Sequence, residues 1–158
     1  MAQVKLENKK IGILGGTFDP AHIGHIKISK IAKTNYNLNQ VIWAITKRNP
    51  FKNKSSKNLS KRISFAKKLN LKHKFIKTIC FEDKIRSNRT IDLIKYLKKK
   101  NKNSKLYFIM GADNLVGFHK WEKYENIVKY CKILVFDRYG YKAKALKSLS
   151  FRKHKKKT

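Results

Sequence analysis

Short β-rich runs, mostly apolar, alternate with amphipathic stretches along the chain. Residues 11–14 form the first run, and further runs cover 41–45, 75–81, 106–110 and 133–136. Their length and β-branched content predict buried strands. Between the runs, apolar positions return at helical spacing. Ile23, Ile26, Ile31 and Ala32 do so after the first run, with Lys27, Lys30 and Lys33 interleaved. Ile63, Ala66 and Leu69 follow the second run, where Ser60 is placed to cap a helix. Ile91, Ile94 and Leu97 follow the third, with the Thr90 hydroxyl as the expected N-cap. A further helical stretch contains Trp121, Ile127 and Val128. Residues 47–58 are polar and without period, and read as a loop. This alternation predicts an α/β fold, a parallel sheet with helices on both faces. There is no internal repeat and no interdomain linker, so residues 1–158 read as one domain, with 142–158 a short basic tail.

Charge widens the range of partners without choosing among them. Forty Lys and Arg against nine Asp and Glu give a net charge of +31. Such a field attracts nucleotides, polyphosphates, nucleic acids and anionic membranes. The lysines, however, are spread over every expected surface, often beside Asn and Ile, so nucleic acid is expected to bind only non-specifically and to be lost with salt. A composition 41% hydrophobic and 11% aromatic excludes a disordered chain. No apolar run approaches the ~20 residues needed to span a bilayer, and the first residues lack the apolar core of a signal peptide. The expectation is a soluble, cytoplasmic protein with no membrane partner. Cys80 and Cys131 lie in or beside apolar runs with no Cys-x-x-Cys spacing, which predicts buried free thiols.

The chemistry concentrates where the first strand meets the first helix, in Gly15-Gly16-Thr17-Phe18-Asp19-Pro20-Ala21-His22-Ile23-Gly24-His25. Ligands of open parallel sheets bind beyond the carboxyl ends of the strands. Glycines there let backbone N–H groups approach a phosphate, and the helix N-terminus adds partial positive charge. Pro20 stiffens the turn. His22 and His25, three residues apart, project to one side of the helix start, where two imidazoles suit phosphate oxygens and the charge that develops in phosphoryl transfer. No third His or Cys lies near enough in sequence to complete a zinc site, so no protein-held metal is expected.

This segment resembles the Gly-x-Thr-Phe-Asp-Pro…His-x-Gly-His signature of the HIGH-motif nucleotidyltransferase superfamily. The resemblance implies a Rossmann-like fold and transfer of a nucleotide from a triphosphate with release of pyrophosphate. Later blocks resemble those of bacterial nicotinate-mononucleotide adenylyltransferases. Gly111-Ala112-Asp113-Asn114-Leu115 with Phe118, Trp121, Glu125 and Ile127 is similar to their Gly-x-Asp…Trp…Glu-x-Ile block. Asn88-Arg89-Thr90-Ile91-Asp92 falls at their Ser-Tyr-Thr, Asp137-Arg138-Tyr139-Gly140-Tyr141 at their Arg-Arg-Pro-Gly-Tyr, Asn49-Pro50-Phe51-Lys52 at their Pro-Pro-His-Lys, and Ser60-Lys61-Arg62 at a Ser-x-x-Arg-like helix start. The resemblance runs over residues 10 to 141.

What it implies is specific. ATP and nicotinate mononucleotide would give nicotinate adenine dinucleotide and pyrophosphate. Gly15, Gly16, Thr17, Phe18, His22, His25, Gly111, Asp113 and Arg138 would bind ATP. Asp19, Lys52, Thr90, Trp121 and Arg138 would bind the mononucleotide, Trp121 by stacking on the pyridine ring and Thr90 at its carboxylate. His22, His25 and Lys52 would screen the two anionic reactants, with Mg²⁺ on the pyrophosphate leaving group.

The match departs from the pattern in three places. Phe51 stands for a His. Asn88 and Arg89 stand for Ser-Tyr, and an Arg beside the pyridine site either strengthens carboxylate recognition or alters its shape. The family's closing Ile-Ser-Ser-Thr-x-Ile-Arg is met only by Ser148-Leu149-Ser150-Phe151-Arg152, which predicts a shortened C-terminal region. Either the basic tail replaces the lost contacts or activity is weakened. Two other functions stay open: another small adenylyl- or cytidylyltransferase, acting on nicotinamide mononucleotide or phosphopantetheine, and a non-catalytic basic nucleotide- or RNA-binding protein. Both a monomer and a homodimer fit the sequence.

Overall fold

The computed structural model describes residues 9–47, 58–137 and 140–158. Five strands, β1 (Lys10–Gly16), β2 (Gln40–Ile45), β3 (Ile76–Ile79), β4 (Lys105–Gly111) and β5 (Cys131–Phe136), form one sheet in the order β3-β2-β1-β4-β5. Every pairing is parallel. The chain winds outward from β1 to β3, then returns to β1's other side for β4 and β5. Strand order therefore reverses between β1 and β4, the place where open α/β sheets leave a crevice for ligands.

The interior strands β1, β2 and β4 bury both faces because their side chains alternate between two cores, whereas the edge strand β3 is buried on one face. On β4, Leu106, Phe108 and Met110 enter one core, and Tyr107 and Ile109 the other. Helices α1 (Ile23–Tyr36) and α2 (Leu59–Leu69) cover the second of these. Helix α4 (Thr90–Lys100), with Ile91, Ile94 and Leu97 inward, and α6 (Tyr124–Tyr130), with Ile127 and Val128, cover the first. The expected Rossmann-like sheet with helices on both faces is what forms.

Local expectations fare less evenly. On α1 the buried row is Ile26, Ser29 and Ala32, whereas Ile23 is 74% exposed and Ile31 points outward. Ser29 turns inward because its hydroxyl accepts the Trp43 indole N–H at 2.9 Å and donates to the His25 carbonyl at 2.8 Å. Helix α2 is capped by Asn58, whose Oδ1 accepts the Lys61 N–H at 2.9 Å, so Ser60 is not the cap. Nor does the Thr90 hydroxyl cap α4. Thr90 is already the first helical residue, and Arg89 occupies the cap position without a side-chain capping bond. The third strand is shorter than 75–81, because the chain leaves the sheet edge to form α3 (Glu82–Ile85).

The helical stretch expected around Trp121 is divided. Helix α5 (Ala112–Gly117) passes into a 3₁₀ turn at Phe118–Lys120, and Trp121 is extended, with φ −71° and ψ 140°. Aromatic packing overrides helical period there: Trp121 meets Phe108 and Phe118 edge-to-face, at 5.9 Å and 5.3 Å between ring centroids.

The basic tail folds back onto the domain. Helices α7 (Lys142–Lys147) and α8 (Leu149–His154) pack against α5, with Ala145, Ser148 and Ser150 buried. The Ser148 hydroxyl accepts the Phe151 N–H, so the Ser148–Arg152 string opens a helix. An ion pair between Lys153 and Glu125 joins α8 to α6. Cys131 is a buried free thiol that burial pushes up to about 12, and Cys80 is free but only half-buried. Among the described residues no helix is long and apolar enough to cross a membrane.

Candidate functional site

The carboxyl end of β1 divides the site into two halves, one on each side of the sheet. On the α1 side, the chain leaves Gly16, passes Phe18 and the cis Asp19–Pro20 peptide, and enters α1 at His22. Phe18 has φ 49°, a left-handed conformation that costs an aromatic residue about 1–2 kcal/mol. Burial of its ring offsets that cost. The ring stacks on Trp43 at 5.1 Å and lies under the His25 imidazole at 4.6 Å. The Phe18 side chain is thus a floor for His25 rather than a surface for a ligand.

The two histidines cap the helix they begin. His22 Nδ1 accepts the Gly24 N–H at 3.1 Å, and His25 Nδ1 accepts the His22 N–H at 3.0 Å. The rings lie 3.9 Å apart. An Nδ1 that accepts an N–H leaves the proton of a neutral imidazole on Nε2. Backbone geometry thereby sets both rings with Nε2–H as the donor at the helix N-terminus, the arrangement an anionic oxygen requires.

Gly24 makes this seat possible, a role that sequence reading missed. A Cβ at residue 24 would stand 2.8 Å from His22 Nδ1 and 2.9 Å from its Cε1. Gly24→Ala should therefore displace the His22 ring, although alanine favours the helix by about 0.5–1 kcal/mol. Stability is expected to stay within about 1 kcal/mol of the parent while turnover falls roughly 10- to 100-fold, as small misplacements of positioning groups do. Urea unfolding and steady-state kinetics on the same preparation check this; unchanged turnover would show that the ring's seat is immaterial.

On the other side of the sheet, a cavity of about 530 Å³ opens beneath the same strand tip. Gly15, Gly16 and Thr17 form one wall, and Phe108 and Trp121 the aromatic wall. The segment from Ser87 to Thr90 and residues 120–122 form the rim. A Cβ on Gly15 would meet only Phe108, at 3.7 Å, and so would narrow this cavity. Glu82, from α3, accepts from the Thr46 hydroxyl and from the Lys47 N–H, and so ties the end of β2 to the cavity. The structure thus brings together Gly15, Gly16, Thr17, Thr90 and Trp121. His22 and His25 stand across the β1 tip, outside that lining.

At the neighbouring tip of β4, Gly111 admits the carboxylate of Asp113: a Cβ there would stand 2.5 Å from Asp113 Oδ1. Asp113 does not line the cavity, whereas its neighbour Asn114 does. Asp19 is half-buried in the turn between the histidines and the strand. Lys52 and Arg138 lie outside the described residues. Among the described residues no three His, Cys, Asp or Glu side chains converge to hold a metal ion.

Arg62, quoted above only as part of a helix-start motif, lies on α2, is 2% exposed, and has a role that the sequence did not reveal. Its Nη1 donates to the carbonyls of Thr17 at 2.7 Å and Thr46 at 2.8 Å, and its Nη2 to that of Lys47 at 2.8 Å. One guanidinium thereby holds the loops leaving β1 and β2 together. The signal was present: Arg62 stands four residues before Ala66, on the apolar face of α2.

A family model described as cytidylyltransferase-like matches residues 13–157. The chain belongs to this family. The match runs through the tail, beyond the 10–141 span of the motif resemblance. The chain is 61% identical, over 90% of its length and 78% of the relative's, to the probable nicotinate-nucleotide adenylyltransferase of Pelagibacter ubique. It is 38% identical to the protein of the same name from a Nitratiruptor species, over 84% of this chain and 76% of the relative. Among solved structures, Plasmodium falciparum nicotinic acid mononucleotide adenylyltransferase complexed with NaAD superposes with a TM-score of 0.70, over 85% of this chain and 67% of that one. At 22% identity that likeness speaks for the fold.

Proposed function

We propose that this member of the family transfers the adenylyl group of ATP to nicotinate mononucleotide, giving nicotinate adenine dinucleotide and pyrophosphate. The observation that carries the reading is the arrangement about the β1 tip, with paired imidazole donors on one face and an aromatic-walled cavity on the other. A triphosphate over α1 and a pyridine nucleotide in the cavity would meet with their phosphates at Gly15-Gly16-Thr17. The curated relatives named above bear the same activity in their names, which supports it.

The bond changes are simple. A phosphate oxygen of the mononucleotide attacks the α-phosphorus of ATP. The bond from that phosphorus to the β-phosphate oxygen breaks in line, and pyrophosphate leaves with the electron pair. The attacking monoester is already anionic near neutral pH, so alignment and charge screening are what the protein must supply. His22 and His25 donate Nε2–H to phosphate oxygens, and N–H groups at the strand tip approach them from below. Lys52 and Arg138 complete the positive surface on the motif resemblance. Mg²⁺ enters as part of the nucleotide substrate, on the pyrophosphate. Gly111 and Asp113 serve the nucleotide from the β4 tip, Asp19 the mononucleotide side, Thr90 the pyridine carboxylate, and Trp121 the ring.

The test is product analysis. Purified chain with ATP, Mg²⁺ and nicotinate mononucleotide should release nicotinate adenine dinucleotide and pyrophosphate in equal amounts. Product from phosphopantetheine or from CTP instead would overturn the assignment. Trp121→Ala should raise KM for the mononucleotide about tenfold, the effect of losing a stacked cationic ring, and leave KM for ATP nearly unchanged. A matching rise in both constants would place Trp121 outside the pyridine site.

A further inference from the structure

We propose that Arg89 selects the acid over the amide form of the pyridine mononucleotide, with Glu122 an internal stand-in for the substrate's carboxylate. The inference rests on the cavity being the mononucleotide site. Arg89, Thr90, Trp121 and Glu122 all line that cavity. Arg89 Nε donates to Asp92 Oδ2 at 2.8 Å, and Asp92 also accepts the Ser87 hydroxyl at 2.6 Å. The guanidinium plane is therefore pinned from the α4 side. The Ser87 hydroxyl, ahead of Arg89 itself, holds the Asp92 carboxyl below the usual carboxylate range, so this anchor stays charged.

Across the rim, Arg89 Nη1 donates to Glu122 Oε1. Glu122 directly follows Trp121, so a carboxylate already sits on the guanidinium beside the indole proposed to carry the pyridine ring. Among the described residues Nη2 donates to no protein acceptor, which leaves part of the guanidinium fork open. Carboxylates bind that fork through two parallel N–H donors. A carboxamide offers one oxygen and turns an N–H₂ donor toward the other arm, so the amide substrate forfeits the second bond.

Glu122 is placed to leave. Its side chain is 54% exposed, against 44% for Arg89, and it precedes Lys123, which has φ 51°. Exposed ion pairs of this kind are weak and exchange readily with water. With Glu122 seated, Arg89 and the two carboxylates carry a net negative charge that opposes an anionic ring substituent. With Glu122 in solvent, Arg89 and Asp92 are neutral as a pair, and Lys120 on the same rim offsets Glu82, so the net negative charge that opposed the substituent is gone. The remaining acid of the cavity, Glu82, is engaged by Thr46 and Lys47.

Calorimetric titration with nicotinate mononucleotide and with nicotinamide mononucleotide tests this without relying on turnover. The parent chain should prefer the acid. Arg89→Gln should lose about 10- to 100-fold of its affinity for the acid, the range for a hydrogen-bonded charge, and less than about threefold for the amide. Glu122→Gln should bind the acid a few-fold more tightly and the amide as before. If Arg89→Gln keeps the acid preference, or weakens both ligands equally, the inference fails while the proposed reaction stands. If Glu122→Gln weakens both ligands alike, Glu122 is a brace and not a stand-in. If the folded parent chain binds neither mononucleotide, the cavity assignment and the inference fall together.

Discussion

His25→Ala should lower the rate of adenylyl transfer by about 10²–10³, the usual cost of removing one preorganised donor at developing negative charge. The same change removes the acceptor of the His22 N–H and should destabilise the start of α1 by about 0.5–2 kcal/mol. The two effects are separable. In His25→Asn, the amide oxygen can accept the same backbone N–H, as Asn does at helix starts, while the ring's outward donor is gone. Stability should therefore recover and turnover should not. Urea unfolding and kcat, measured on the parent, Ala and Asn forms, check both halves. Asn at the parent rate would show that His25 caps the helix and nothing more.

Arg62→Met should cost on the order of 3–5 kcal/mol of folding stability, out of a total of about 5–15 for a domain of this kind. Among the described residues Arg62 serves the carbonyls of Thr17, Thr46 and Lys47. Each loses a charge-assisted bond in a part-buried place, at about 1–3 kcal/mol for a group left unsatisfied, with relief as water enters, most readily at the exposed Lys47. Methionine fills much of the volume, so the loss reports the bonds and not a cavity. Arg62→Lys should recover only a part, because an ammonium cannot span three acceptors held in a fork. Turnover should fall as well, since Thr17 and Thr46 both line the cavity. A midpoint shift worth less than about 1 kcal/mol would mean that the two loops hold their places without the clamp.

Sequence by itself determined the alternation of strands and helices. That pattern is local, and two-sided burial of the interior parallel strands makes their apolar runs nearly continuous and easy to recognise. The first-loop motif and the family resemblance also picked out Gly15, Gly16, Thr90 and Trp121, which the fold brings to one cavity, and the histidine pair that begins α1. Short-range competition was less legible. Asn58 displaced Ser60 as a cap, since the residue that caps is decided by where the helix begins. The rings around Trp121 broke a helix that the period of Ile127 and Val128 extended back to it.

Only the tertiary structure decided on which side of the β1 tip each residue lies. Residues 24 and 22 are neighbours in sequence, yet the reason for glycine at 24 is the space the His22 ring occupies. Arg62 reaches Thr17 across 45 positions, and Arg89 reaches Glu122 across 33. Such pairs leave no periodic trace, because a hydrogen bond between distant residues depends on where the sheet places their backbones. The reversal of strand order at β1 brings those segments to one edge. The motif in the first loop is readable because its contacts are local; the clamp and the rim pair are not, because theirs exist only once the sheet is assembled.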